Sequence, residues 1–201
     1  QSASMGYGRY GLTTIIHEFL HAMGIDHPGN YNGSANYFSD ALFLQDTHRY
    51  SVMSYFDADA DGSGTSHWLK VNGTWQWQYP QTPMVYDLLA LTDGNFAGYF
   101  GGYAPNATTR AGDTTYGYNA TSGINSVFNF AVNDGPVLTI YDAAGNDTLD
   151  LSGDTVATRR VITYDAAGNP QTSDGVRTTS VIDLNPGAYS STHGMLNNIG
   201  I

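Results

Sequence analysis

Three of the six histidines in this 201-residue chain, His17, His21 and His27, fall within the eleven residues "HEFLHAMGIDH" and surround Glu18, the only glutamate among eighteen acidic residues. On a helix, residues four apart share one face about 6 Å apart along the axis, so the rings of His17 and His21 can converge on a single ion. Glu18 sits about 100° further round and can approach that ion without ligating it. A continuing helix would carry His27 about 9 Å past His21, whereas Zn–N bonds are only about 2 Å long. The chain must therefore stop and turn back. Gly24 stands where the stop is needed, since glycine accepts the left-handed conformation of a helix C-terminus, and Pro28 blocks any resumption. Two histidines alone would describe an ordinary amphipathic helix. Three, with a glycine at the break and one carboxylate beside them, describe a metal face with its fourth position open to water, the geometry of catalytic rather than structural zinc.

The elements that must hold these groups are partly legible. Leu12, Ile15, Ile16, Phe19, Leu20 and Met23 recur at three and four, which predicts a helix from Gly11 to Met23. A second helix is expected at "PMVYDLLALTD", with Pro83 near its start and Met84, Leu88, Leu89 and Leu91 as its apolar face. Between them, "HPGNYNGSANYF" and "YSVMSYF" read as loops, and residues 57–80 read as an insertion with a small hairpin of its own. From about residue 106 the helical signal ends. Short alternating stretches, "SVFNFAV", "VLTIY", "TLDLS", "RRVITY" and "TTSVIDL", predict an all-β region. "TIYDAAGNDT" and "ITYDAAGNPQ" echo each other, but two copies do not make a repeat architecture.

The totals narrow the function. A net charge of −11 with a single lysine leaves no basic stripe for phosphates, so neither nucleic acid nor a membrane surface is an expected partner. With no cysteine, any metal must be held by nitrogen or oxygen. No apolar run approaches the roughly 20 residues of a membrane span. Because it opens at Gln1 and closes inside the alternating "GMLNNIGI", the chain is expected to be a piece of a longer protein.

"HEFLHAMGIDHP" resembles the HExxHxxGxxH signature of the metzincin metalloproteases, and its closing proline resembles the serralysin branch. "YSVMSYF" is similar to that family's Met-turn, "HPGNYNG" to the opening of its following loop, and "ATTRAGDTTYGYN" and "IYDAAGNDTLDLSG" to the start of its C-terminal β domain. The resemblance implies a partial α+β zincin-like (metzincin) catalytic domain over 1–105, followed over 106–201 by an all-β calcium-binding β-roll/β-sandwich domain. It implies His17, His21 and His27 as zinc ligands, Glu18 as general base, Tyr55 as a further zinc ligand that also steadies the developing oxyanion, and Met53 as packing beneath the metal. It also implies a monomeric, secreted bacterial endopeptidase acting on protein or peptide substrates. Residues 57–80 and "DGNFAGYFGGYAP" are longer than the corresponding family connections, and the sheet edge that aligns substrate in the family has no counterpart here.

For calcium, Gly145, Asp147 and Leu149 fit the second half of the nonapeptide G-G-x-G-x-D-x-U-x, with Asp142 and Ala143 in place of its leading glycines. The family resemblance implies a structural Ca²⁺ site made by Asp142, Asp147 and the backbone of Arg110, Gly112, Thr114, Ala144 and Gly145. "DADADGSG" spaces Asp57, Asp59, Asp61 and Gly62 as an EF-hand does, but Trp68 stands at the twelfth position, so an acidic loop is the preferred reading there. His48, His67 and His193 have no ligand spacing and are expected to be ordinary surface or core residues. The competing functional reading is a non-catalytic extracellular calcium-binding β module with a relic zinc site.

Overall fold

The computed structural model describes residues 5–63, 65–92, 103–123, 126–154, 158–166, 170–176, 180–193, 195 and 197–201. Most of "DGNFAGYFGGYAP" lies outside them. Three helices lead the order, α1 (Tyr10–Ala22), α2 (Tyr37–Asp40) and, after a hairpin, α3 (Val85–Thr92). α2 falls where loop was expected; its N-cap Asn36 accepts the Phe38 N–H, the local bond that lets a polar stretch close one helical turn. The strands are short: β1 (Trp68–Val71), β2 (Thr74–Trp77), β3 (Thr115–Gly117), β4 (Leu138–Thr139), β5 (Thr148–Asp150), β6 (Thr158–Tyr164), β7 (Pro170–Val176), β8 (Tyr189–Ser190) and β9 (Ile199–Gly200).

α1 buries one stripe. Leu20, with Ile16 and Met23 partly covered, packs on Ile25, Val52, Met53 and Leu91. Ile15 and Phe19, expected on the same face, are exposed, because the residues the helix packs against meet only the 16–20–23 side. Met84, just before α3, and Leu91 on it are buried, whereas Leu89 is exposed and Asp87 is buried.

The predicted insertion hairpin forms from β1 and β2 around Asn72-Gly73, both at positive φ, the left-handed pair that suits a two-residue hairpin turn. It is not a separate appendage. Leu69 joins Met84, Val137 and Met195 in one buried cluster, so residues on both sides of position 105 share a core. Hydrogen bonds follow the same seam: Gln81 N–H donates to Val137 O (2.9 Å), and Thr139 N–H to Thr82 Oγ1 (2.8 Å). The acidic stretch from Asp57 is a series of hydrogen-bonded turns, with Ala60 N–H on Asp57 O and Gly62 N–H on Asp59 O.

The C-terminal half pairs β3 with β5 in parallel, β4 with β9 in parallel, β8 with β9 antiparallel, and β6 with β7 as a hairpin. Two expected strands do not form. "SVFNFAV" buries Phe128 and Phe130 as alternation predicts, yet it folds as turns with one bridge, Asn129 to Gly117. Ser126 Oγ takes the Phe128 N–H and Asn129 Oδ1 the Ala131 N–H, local bonds that compete with a ladder. "TTSVIDL" contributes only the bridge Val181 to Ser191 among its described residues. The echoed segments take different places, one running from β4 to β5 and the other beginning in β6 and ending in β7, so they do not match in secondary structure.

Gly117 has φ +93, and a Cβ there would lie 2.0 Å from the Asp150 carbonyl oxygen. Gly117→Ala is therefore expected to destabilise the protein by about 2–4 kcal/mol, through strain and loss of the β3–β5 ladder. Urea unfolding measures it; a loss under about 0.5 kcal/mol would show that the strand pair gives way at little cost.

Candidate metal centre

α1 ends by a bonded stop. Gly24 (φ +91) donates to His21 O (2.9 Å) and Ile25 N–H to Leu20 O (3.0 Å), the paired bonds of a Schellman motif, while Ile25 packs on Leu20. The chain returns as required. His27 Nε2 lies 3.1 Å from His17 Nε2 and 3.1 Å from His21 Nε2. Among the described residues these three form the one group of three or more His, Asp or Glu side chains whose ligand atoms lie within 4.8 Å of one another.

Each ring's other nitrogen is committed to a backbone carbonyl: His17 Nδ1 to Val52 O at 3.0 Å, His21 Nδ1 to Ile25 O at 2.8 Å, and His27 Nδ1 to Tyr31 O at 2.8 Å. A carbonyl only accepts, so each Nδ1 carries the proton and each Nε2 a lone pair. Three lone pairs at such separations repel. A cation between them removes the conflict, and tetrahedral Zn–N bonds of about 2.05 Å would set the nitrogens roughly 3.3 Å apart. Burial, outweighing the Val52 hydrogen bond, holds the His17 imidazole below its usual range, toward the neutral form that binds metal.

Glu18 is exposed and lines a cleft of about 220 Å³ with His17, Tyr55 and His48. The Tyr55 ring lies beside the cluster, 4.6 Å from the His27 ring and 6.0 Å from that of His17. Met53 is fully buried in the cluster that holds Leu20 and Ile25. On the other side of His27 opens a cavity of about 780 Å³ with a mainly apolar lining that includes Ile25, Phe43, Tyr86 and Leu89.

Sequence reading missed the supports. Asp87, at the third position of α3, accepts the Met84 N–H (2.7 Å) as a capping carboxylate does, and also Ser51 Oγ–H (2.6 Å) and Val52 N–H (2.8 Å). It thereby fastens the turn whose Val52 carbonyl orients His17. Desolvation, only partly offset by these bonds, pushes its carboxyl up to about 6. A lone acid in "MVYDLLAL", at the third helical position, was the available signal. His67 and His193 prove to be core residues, and His48 is half buried.

Part of the calcium candidate set comes together. Arg110 O and Gly112 O both accept from Thr114 Oγ1, at 3.4 and 2.9 Å, so the two carbonyls converge. Asp147 Oδ1 takes the Thr114 N–H (3.0 Å), and Gly145, at φ +125, lies close enough to Gly112 that a Cβ would stand 2.7 Å from its oxygen. Asp142 is turned by the Tyr116 hydroxyl and by Ala144 N–H (3.2 Å). The Arg110 and Gly112 carbonyls with the Asp147 carboxylate make a hard oxygen set of the kind that suits Ca²⁺, whereas the Thr114 carbonyl takes the Thr148 N–H (2.9 Å) and Asp142 is held by Tyr116.

Fold and site thus define a three-histidine centre beside a free carboxylate, joined through a shared core to a region of short strands with paired turns. Residues 105–163 match the family model described as the Peptidase M10 serralysin C terminal. The chain is 31% identical over 196 residues to the serralysin of Proteus mirabilis, covering 96% of this chain and 32% of that protein. It is also 31% identical over 198 residues to the metalloprotease AprA of Pseudomonas entomophila, covering 98% and 33%. Serralysin B of Dickeya chrysanthemi is 31% identical over 200 residues, covering 97% and 32%. These findings support the serralysin family and its C-terminal β domain, and the chain spans about a third of the length of these relatives. Among the described residues no helix is long and apolar enough to cross a membrane.

Proposed function

We propose that this chain carries the zinc centre of a secreted bacterial endopeptidase of the serralysin type, with a partial zincin-like catalytic region over 1–105 and a calcium-binding β domain over 106–201. The observation that carries this reading is the convergence of three Nε2 lone pairs whose Nδ1 partners are all backbone carbonyls. His17, His21 and His27 hold the ion and Tyr55 stands beside it. Zinc bound there supplies Lewis acidity, lowering the pKa of a coordinated water toward 7 and polarising a peptide carbonyl. Glu18, free in the cleft, takes the proton of the attacking water and passes it to the leaving amine. The Tyr55 phenol donates to the oxygen on which negative charge develops. The apolar cavity beside His27 receives a substrate side chain and fixes the scissile bond relative to Glu18. The 110–114 and 142–147 turns would hold calcium, which would tie β3 to β5.

The test is zinc content by mass spectrometry, with casein digestion in the presence and absence of a zinc chelator. About one zinc per chain and chelator-sensitive digestion are expected. Glu18→Gln should keep the zinc and lose digestion by about 100-fold or more; undiminished digestion removes Glu18 as the base. Zinc without any digestion by the unaltered chain favours the calcium-binding module with a relic site, and no zinc refutes the centre. Gly145→Ala should lower calcium affinity at least about tenfold and remove calcium's effect on the melting temperature, because the left-handed turn and its contact with Gly112 are both lost. Isothermal titration with calcium reads it, and unchanged affinity would place calcium elsewhere.

A further inference from the structure

His17 and His21 are held by a helix, whereas His27 stands on irregular chain six residues beyond His21 and needs a fastener of its own. The structure contains one. The Tyr31 carbonyl takes the His27 Nδ1 proton (2.8 Å), and the Tyr31 ring stacks on the imidazole, with centroids 5.5 Å apart and planes 15° from parallel. One residue therefore controls both the in-plane rotation and the tilt of the third histidine. Tyr31 is in turn anchored at its far end. Its hydroxyl donates to Asp46 Oδ1 at 2.8 Å, with Tyr31 8% and Asp46 0% exposed. Phe56 meets the Tyr31 ring edge-on and Tyr55 packs against it, so the ring has no room to turn while the phenol is held. Asp46 follows a turn closed by its own N–H on Phe43 O (3.2 Å), five residues before the Ser51 that Asp87 holds.

We propose that Asp46 is the positioning residue of the third histidine: through the Tyr31 phenol it fixes the loop that returns His27 to the α1 histidines, and so sets the affinity and coordination geometry of the centre for a divalent transition ion. The proposal rests on the zinc-centre reading above and deepens it. A buried carboxylate is costly to keep without a donor, so the Tyr31–Asp46 bond favours one placement of the loop before any metal arrives. Outer partners of this kind are worth about 10- to 100-fold in metal affinity.

The experiment uses the full chain with Co(II) as the probe, reading the dissociation constant by competition with a chromophoric chelator and the ligand-field absorption of the bound ion. Tyr31→Phe keeps the ring stack and removes only the hydroxyl. Asp46→Ala removes the acceptor, and Asp46→Asn restores an acceptor of the same size without the charge. Tyr31→Phe and Asp46→Ala are expected to weaken Co(II) binding by about tenfold or more and to alter the absorption bands. Asp46→Asn should stay within about threefold of the unaltered chain. Where Asp46→Ala has lost its native circular dichroism, Tyr31→Phe decides alone. Tyr31→Phe with unchanged affinity and spectrum overturns the positioning role while leaving the centre intact. Failure of the unaltered chain to bind Co(II) more tightly than His21→Ala overturns the centre itself, and the positioning role with it.

Discussion

Lowering the pH from 7 to 4.5 in the presence of calcium and a zinc-selective chelator destabilises the protein, with His67 and His48 as the titrating groups. His67 is wholly buried and donates from Nε2 to Asn197 O, and burial, outweighing that bond, brings its imidazole down to about 3. His48 is brought down to about 4, again chiefly by burial. An unfolded chain takes up these protons near pH 6.5, whereas the folded chain refuses them until its own lower values. The stability these two groups contribute is thus complete above about pH 6.5 and is lost as pH falls toward 3–4. At about 1.4 kcal/mol for each unit, the loss between pH 6.5 and 4.5 is about 3 kcal/mol for each of the two histidines. Asp87 runs the other way. Its folded carboxyl is raised to about 6, so it contributes most below about pH 4 and that contribution is lost as pH rises through 6, by about 3 kcal/mol. The histidines win, and stability falls on acidification. Urea unfolding at pH 7.5, 6, 5 and 4.5 measures the slope, and His67→Gln should remove more than half of it. An unaltered slope in that variant would assign the acid sensitivity to other groups.

Asp87→Ala is the substitution with the largest expected cost in stability. It leaves Ser51 Oγ, Val52 N–H and Met84 N–H without their acceptor in a site that is 1% exposed, and it uncaps α3. At about 1–2 kcal/mol for each of the three stranded donors, the capping Met84 N–H among them, the expected loss is about 3–6 kcal/mol at pH 7.5. The effect is expected to reach the proposed zinc centre. With the 51–53 turn released, the Val52 carbonyl no longer fixes the His17 tautomer, and zinc content should fall along with stability. Asp87→Asn keeps one acceptor but points an amide NH₂ at donors; it should cost less and also erase the opposing pH component near 6. A loss below about 1 kcal/mol in Asp87→Ala would mean that water replaces the carboxylate at no great expense.

Much of the centre was legible because it is written in local geometry. Helix periodicity places His17 and His21 on one face, and Gly24 six residues after Glu18 allows only a chain that turns back toward them. The hairpin at Asn72-Gly73 and the α3 segment are legible for the same reason, since turn type and a 3.6-residue period are properties of a few neighbouring residues. The alternation in "SVFNFAV" correctly marked which aromatics go inside, but not that side-chain bonds from Ser126 and Asn129 would replace a ladder. Strand existence depends on a partner, and no partner is named by the strand's own residues.

What only the tertiary structure decided is how distant residues complete the site. Val52 lies 35 residues from His17 and Asp87 another 35 beyond Val52, yet one carbonyl and one carboxylate in series orient the ring of a candidate ligand. Asp46 reaches His27 only through Tyr31. Leu69, Met84, Val137 and Met195 merge segments that composition had separated at position 105. The local sequence chose the ligand types and their spacing, since these follow from bond lengths and the helical repeat. Their support was chosen by burial, which pairs each polar group taken out of water with whichever donor or acceptor the packing brings to it.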